Sequence, residues 1–216
     1  MDRMQRFGIE EEYFITDLRS RRMLAEPPAR VLAACREVIG DGFSYEMFQG
    51  QIEVASPVFD SAAEAAIYLG RVRCELSQAL AEYGLGFICS GVHPLADWRA
   101  QRATRQVHFQ RLFEEFQIVA QRSVLSGLHV PAEVTAGVDR IAVLNEVLPW
   151  LPMLLALSVS SPWWQGQPSG YSSYRQVVCD EWPRMGIPEF LTDEQSFKQY
   201  LSLLKDSGAL AKDANV

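Results

Sequence analysis

The sequence predicts a mixed chain, α+β or α/β, in which strands are separated by long helices. Two observations carry this reading. Apolar and polar residues alternate with period two from Phe7 to Thr16 and again around Gln49–Glu53. Helical spacing runs over Ala29–Ile39 and returns in a long stretch after Ser61.

The first strand places Phe7, Ile9, Tyr13 and Ile15 on one side and Gly8, Glu10 and Glu12 on the other, with Glu11 on the apolar side. After Pro27 and Pro28, the spacing predicts a helix over Ala29–Ile39, with Gly40 just past its end. Gln49, Gln51 and Glu53 share one parity of a second strand, opposite Ile52 and Val54. Ser61 followed by Glu64 is a capping box for a helix running to about Tyr83, which Gly84 closes.

Leu85 to Val92 reads as a third strand, and Trp98 to Ser123 as another long helix. Leu125 to Val134 reads as a fourth strand with Gly127, His129 and Glu133 on one side, weakened by Pro131. Asp139 suits the cap of a helix whose apolar content through Leu157 predicts a buried position. A Gly- and Ser-rich loop follows to Arg175, and Thr192 with Gln195 suggests a second capping box before a final helix carrying Lys205 and Gly208.

The 216 residues are 48% hydrophobic and 22% charged, enough apolar material for one sizeable core, so a single domain is expected. A formal net charge of -7 disfavours nucleic acid and anionic membrane as partners, because both demand clustered Lys and Arg. The basic run Arg99, Arg102, Arg105 and Arg111 suits a solvated helix face. The N-terminus has no apolar leader and the stretch from Val147 to Val159 is too short to span a bilayer, so a cytoplasmic location without membrane attachment is expected. Cys35, Cys74, Cys89 and Cys179 show no metal-binding spacing and read as free thiols.

The chemistry concentrates in the carboxylates. Glu10 and Glu12 lie two apart on one strand and so point to the same side of the sheet. At ~5 Å their repulsion is roughly 1 kcal/mol in water and about 3 kcal/mol at an effective dielectric near 20. Adding Glu53 makes a bound cation attractive, and Mg prefers such hard oxygen ligands. Glu46 also lies near, although its distance of seven residues from Glu53 requires a bend, for which Gly50 is suited. An exposed acidic strand face is the plain alternative.

Gly8-Ile9-Glu10-Glu11-Glu12-Tyr13, followed by Glu46-x-x-Gln49-x-x-Ile52-Glu53, resembles the opening of the type 2 glutamate–cysteine ligase family. Three later blocks agree in order: Gly91-Val92-His93-Pro94, Ser126-Gly127-Leu128-His129-Val130, and Leu155 to Pro162 leading to Gly170-Tyr171-Ser172-Ser173-Tyr174-Arg175. The resemblance implies a catalytic domain like that of glutamine synthetase, an α+β fold with a mainly antiparallel sheet and long helices packed on one face. It implies an ATP- and Mg-dependent carboxylate–amine ligase that joins a small amino-acid substrate to an amine through an acyl phosphate.

By position, the resemblance makes Glu10, Glu12, Glu46 and Glu53 metal ligands. It places His129 at the metal or nucleotide site and gives Arg175 to anionic substrate or ATP phosphate, although His129 taken alone would equally be a structural histidine. A guanidinium suits that task because its planar donors grip a carboxylate or phosphate in two places. His93 is as suited to orienting its loop, and Trp163 and Trp164 to completing a core. The family pattern departs at Ser123, where it carries Gln, and at Pro131, where it carries His or a similar residue.

The family continues into further strands beyond the position of Val216, so residues 1–216 read as one ligase domain lacking its C-terminal strands. An open sheet edge predicts either homo-oligomeric association or a longer gene product. The alternative function is a truncated or non-catalytic homologue that keeps the fold and binds nucleotide or a protein partner. No Gly-x-x-x-x-Gly-Lys loop supports a different phosphoryl-transfer enzyme, and Gly170-Tyr171-Ser172-Ser173 is no nucleophile elbow.

Overall fold

The computed structural model describes residues 5–183 and 185–210. The extreme N-terminus and the end at Val216, on which expectations rest above, lie outside them. The chain divides into two compact units, Met1–Glu133 with Val159–Met185, and Val134–Ser158 with Gly186–Val216.

In the first unit the strands are β1 (Glu10–Asp17), β2 (Phe43–Tyr45), β3 (Gln51–Ala55), β4 (Leu85–Ile88) and β5 (Leu128–His129). They form one antiparallel sheet in the order β2-β3-β1-β4, with β5 also paired to β1. Strand β1 is the centre. Its whole length serves three neighbours: β3 along one edge, β4 beside Phe14–Asp17 and β5 beside Glu10–Glu11 on the other. The fold is α+β, as expected.

Helices α1 (Ala29–Ile39) and α2 (Ala62–Ala81) cover one face of the sheet. Helix α1 begins after Pro28, whose fixed φ suits a helix entry, and turns Val31, Cys35 and Ile39 inward. It ends where Gly40 adopts φ +70°, a conformation that costs a residue without Cβ little. At the start of α2 the Ser61 hydroxyl accepts the Glu64 amide at 3.2 Å, the expected cap. Val72, Leu76 and Leu80 of α2 then pack with Tyr13, Ile15, Ile52 and Val54 of the sheet.

Glu11 lies on this apolar face and is only 2% exposed. Arg73 of α2 donates to both of its carboxylate oxygens, the Nε bond at 3.0 Å, and the Tyr13 hydroxyl donates as well. A buried charge is tolerable only when paired and hydrogen-bonded in this manner.

The opposite face is divided. Towards the C-terminal end of β1, Phe14 packs with Met23, Phe48, Ala96 and Val124 in a second apolar cluster. Towards its N-terminal end the same face carries Glu10 and Glu12.

Several elements are shorter than the sequence predicts. The helix expected over Trp98–Ser123 is a 3-10 turn (Trp98–Ala100), an extended passage, α3 (Val107–Phe116) and α4 (Ile118–Arg122). The two helices are separated at Gln117, whose φ is +46°. The basic run therefore shares no single helix face. The strand expected over Leu125–Val134 forms a ladder only at Leu128–His129; on either side of it single bridges join Leu125 to Val92 and Ala132 to Phe7, and the Pro131 carbonyl accepts the Gly8 amide at 2.9 Å. The Gly- and Ser-rich region forms a hairpin, β6 (Trp163–Trp164) with β7 (Gln167–Pro168), and its end leads into α7 (Tyr174–Cys179).

The second unit contains α5 (Arg140–Val147), α6 (Leu151–Leu157) and α8 (Glu194–Asp206). Asp139 caps α5 as expected, accepting the amides of Ile141 and Ala142. The cap of α8 is Asp193 rather than Thr192, since its carboxylate accepts the Ser196 amide at 2.7 Å. The buried position expected for the apolar stretch through Leu157 is not found: Trp150, Met153, Leu154 and Leu157 are exposed. Pro149 and Pro152 divide the run into successive short pieces. By length and composition alone Arg140–Leu157 is apolar enough to cross a membrane, a test that core helices of soluble proteins also pass. All four cysteines are free, Cys35 and Cys179 buried and Cys74 and Cys89 exposed.

Candidate metal and nucleotide site

The acidic face is built from strand register. Glu12 on β1 stands directly opposite Glu53 on β3, and Glu10 directly opposite His129 on β5. Cross-strand partners on an antiparallel pair bring their side chains within about 5 Å, so the sheet itself sets these four groups together. Glu46 reaches them from the turn between β2 and β3. That turn is tight at Gly50, where a Cβ would fall 1.9 Å from the Leu24 carbonyl oxygen.

Two groups of possible ligand atoms result, each with its members within 4.8 Å of one another. One is Glu10, Glu53 and His129; the other is Glu12, Glu46 and Glu53. Glu53 belongs to both. His129 Nδ1 stands 3.4 Å from a Glu10 oxygen and 4.0 Å from a Glu12 oxygen.

The β5 approach also fixes Glu12. Its carboxylate accepts the Gly127 amide at 2.9 Å, and its carbonyl accepts the Ser126 hydroxyl at 2.8 Å. Arg175, in the first turn of α7, donates through Nε to the Ser126 carbonyl at 2.9 Å, while its own amide donates to the Ser161 hydroxyl at 3.1 Å. Gly127 is enclosed by these residues. A Cβ there would lie 3.0 Å from His129 Nε2 and 3.2 Å from Arg175 Nη2, so a side chain at this position would press on both groups.

The carboxylates carry an uncompensated charge. Burial, above all, holds Glu12, Glu46 and Glu53 above the ordinary carboxylate value, and repulsion adds to it: Glu53 on Glu12, Glu12 on Glu46, and Glu46 with Glu10 on Glu53. The Gly127 hydrogen bond and His129 pull Glu12 the other way without cancelling the effect. Hard oxygen donors with excess negative charge fit a divalent cation of the Mg type, and an imidazole beside them is compatible with it. Grooves of about 480 and 450 Å³ lie elsewhere on the unit, lined around Tyr68 and Arg71 and around Tyr45 and Thr104 respectively. Neither is lined by these carboxylates.

The structure thus brings together Glu10, Glu12, Glu46, Glu53 and His129, and sets Arg175 against the same loop. His93 is elsewhere in role: it is 1% exposed, its Nδ1 accepts the Leu95 amide at 3.1 Å and its Nε2 faces the Thr16 hydroxyl at 3.2 Å. Ser123 is likewise committed, donating to the Val119 carbonyl and accepting Trp182 Nε1 at 2.7 Å. Trp164 packs on Tyr174 with ring centroids 5.1 Å apart, while Trp163 is 46% exposed. The contributions of Ser126 and Gly127 were not anticipated, although their place in the block around His129 is the signal that points to them.

The family model for glutamate-cysteine ligase family 2 matches residues 6–216. A Pseudomonas fluorescens protein bearing the name "Putative glutamate--cysteine ligase 2" is 68% identical over 211 residues, covering 98% of this chain and 54% of the relative. A Pseudomonas aeruginosa protein of the same name is 49% identical and is covered over 56% of its length. The chain therefore spans about half the length of these curated relatives.

The fold is similar to that of a glutamate–cysteine ligase from Francisella tularensis solved with AMP, at a TM-score of 0.55 and 12% identity, over 70% of this chain and 34% of that one. It is also similar to a bifunctional glutathione synthetase from Pasteurella multocida, at a TM-score of 0.70 and 13% identity, over 98% of this chain and 31% of that one. At such identities the likeness is one of fold. The match over residues 6–216 and the identity to the two Pseudomonas proteins establish that this chain belongs to glutamate–cysteine ligase family 2.

Proposed function

We propose that this chain carries the metal- and nucleotide-binding face of an ATP- and Mg-dependent carboxylate–amine ligase of the glutamate–cysteine ligase type. The observation that carries the reading is the convergence of Glu10, Glu12, Glu46, Glu53 and His129 on one face of the sheet, in a chain of this family. Residues 1–216 are read as one ligase domain. The substrates are ATP and small amino acids, the location is cytoplasmic, and neither nucleic acid nor membrane is a partner.

Glu12, Glu46 and Glu53 would hold one Mg ion, and Glu10, Glu53 and His129 another. Bound there, Mg supplies charge neutralisation for ATP phosphates and the incoming carboxylate. The chain's own residues orient the reactants. Gly127 and Ser126 fix Glu12, and Arg175, with Nε held by the Ser126 carbonyl, offers its two terminal guanidinium nitrogens to an anionic oxygen of substrate or phosphate.

In the reaction a substrate carboxylate oxygen attacks the γ-phosphorus of ATP, releasing ADP and forming an acyl phosphate. The amine nitrogen then attacks the acyl carbon, loses a proton and expels phosphate, leaving the amide. Keeping this second step away from water is a condition of useful turnover, because water would otherwise regenerate the carboxylate. The likeness to a ligase crystallised with AMP supports a nucleotide as a ligand.

The test is release of ADP from Mg-ATP in the presence of glutamate and cysteine, with amide product followed in parallel. Coupled, Mg-dependent formation of ADP and amide is expected. Mg-ATP binding with no ADP release under any amino-acid pair would overturn the catalytic reading.

A further inference from the structure

Glu46 differs from the other carboxylates of the cluster because no strand of the sheet holds it. The β2–β3 ladder closes with the pair Tyr45 and Ile52, so Glu46 begins the turn beyond it. Its carboxylate, half-buried and facing Glu12 and Glu53, is repelled by both. A turn under that repulsion relaxes outwards unless something outside the ladder restrains it.

The restraint is the extended passage between the 3-10 turn and α3. Residues 102–104 run antiparallel to residues 47–49 and pair with them as a short annexe to the sheet. The Gln49 amide donates to the Arg102 carbonyl at 2.9 Å, the Thr104 amide donates to the Met47 carbonyl at 2.8 Å, and Phe48 bridges Ala103. Two side chains complete the junction. Gln49 Nε2 donates to the Ala103 carbonyl at 2.9 Å, and the Thr104 hydroxyl donates to the carbonyl of Glu46 itself.

This junction is anchored in turn to α3. Gln110 donates to the Thr104 carbonyl at 2.7 Å, and the Phe113 ring meets Phe48 edge-on at 5.4 Å. Thr104 is 6% exposed and Phe48 1% exposed, so neither contact competes with bulk water. The passage spends its backbone hydrogen bonds on the Glu46 turn, which is why it is extended where a continuous helix would have withheld them.

We infer that Thr104 and Gln49 are positioning residues for Glu46, holding its carboxylate at the divalent-cation site that it shares with Glu12 and Glu53. The inference rests on the metal reading of the cluster. It assigns to Thr104 no contact with substrate or metal; the hydroxyl acts through the Glu46 main chain. Loss of one such bond weakens a pre-set ligand by about fivefold in cation affinity.

The experiment titrates Mn2+ alone into the 216-residue chain, following free Mn2+ by electron paramagnetic resonance, for the wild type and for Glu46→Gln, Thr104→Val, Thr104→Ser and Gln49→Met. Glu46→Gln identifies the class of bound ion that depends on Glu46. Thr104→Val, which keeps the shape and removes the hydroxyl, should weaken that class about fivefold and leave the other class unchanged. Thr104→Ser should restore wild-type affinity, and Gln49→Met should show the same selective loss.

A folded Thr104→Val chain with both classes at wild-type affinity overturns the inference while the metal reading stands. Should Thr104→Val fail to fold, the same comparison in Gln49→Met decides. A wild type that takes up no Mn2+ overturns the metal reading itself, and the inference with it.

Discussion

Glu12 of β1 and Glu53 of β3 are direct cross-strand partners, with Glu46 brought to the same point by the β2–β3 turn. Like charges opposite one another weaken a strand pair. A central pair of the sheet therefore carries a built-in penalty that a bound cation would remove.

That penalty has a pH sign. Glu12, Glu46 and Glu53 stand above the ordinary carboxylate value in the folded chain, so through the carboxylate range and somewhat above it the folded state holds more protons than the unfolded one. Their contribution is fully present below the ordinary value of 4.5 and is lost as pH rises through the elevated ones. The metal-free chain should lose stability from these groups on that rise, and Mg should raise the melting temperature more at pH 8 than at pH 5. Thermal melts with and without Mg check this; an equal Mg effect at both pH values would contradict it.

His93 behaves oppositely. Burial lowers it from 6.5 to about 4, and both ring nitrogens are already engaged as a neutral imidazole. Below pH 6.5 the unfolded chain binds a proton that the folded chain refuses, so this contribution is present above 6.5 and is lost as pH falls towards about 4. The gap corresponds to about 3 kcal/mol at most. Nuclear magnetic resonance titration should find His93 still neutral at pH 5.5; a charged ring there would refute the assignment.

The pair behind the acidic face is structural. Arg73→Met would leave Glu11 buried without its partner and should cost about 3 kcal/mol, tempered because Arg73 is itself partly exposed. The double variant Glu11→Leu with Arg73→Met should cost less than the two single losses added together. Urea unfolding of the four proteins gives the coupling, and strict additivity would count against a paired buried carboxylate.

Gly127 offers a test of close approach. Gly127→Ala pushes a methyl against His129 Nε2 and Arg175 Nη2. It should weaken Mg-ATP by about tenfold or more, since small misplacements at such sites are costly. Circular dichroism should remain unchanged, and calorimetry with Mg-ATP reads the effect. Affinity equal to wild type would remove Gly127 and its neighbours from the site.

Much of the acidic face was legible because strand parity is local. Glu10 and Glu12 share a side by spacing alone, and Glu11 falls to the other, where Arg73 meets it. The Ser61 cap and the Gly40 terminus were legible for the same reason: one side chain or one missing Cβ decides them. The way in which Glu46 is held was not. It depends on Thr104, 58 residues away, and that long-range pairing also dissolved the continuous helix expected over Trp98–Ser123. Pro131 marked the end of the β5 ladder but not the bridge that resumes beyond it, because Phe7 and Gly8, which pair there, come from the far end of the chain. The exposure of Trp150 and Leu154 was invisible to a reading of apolar content, which shows that a helix needs a partner and not where that partner lies.

Shared use of Glu53 gives the most direct test. Calorimetric titration of Mn2+ should find two ions on the wild-type chain, one on Glu10→Gln, one on Glu46→Gln and none bound tightly on Glu53→Gln, following the two groups of ligand atoms that meet at that residue. Undiminished binding by Glu53→Gln, or no binding by the wild type, would contradict the account.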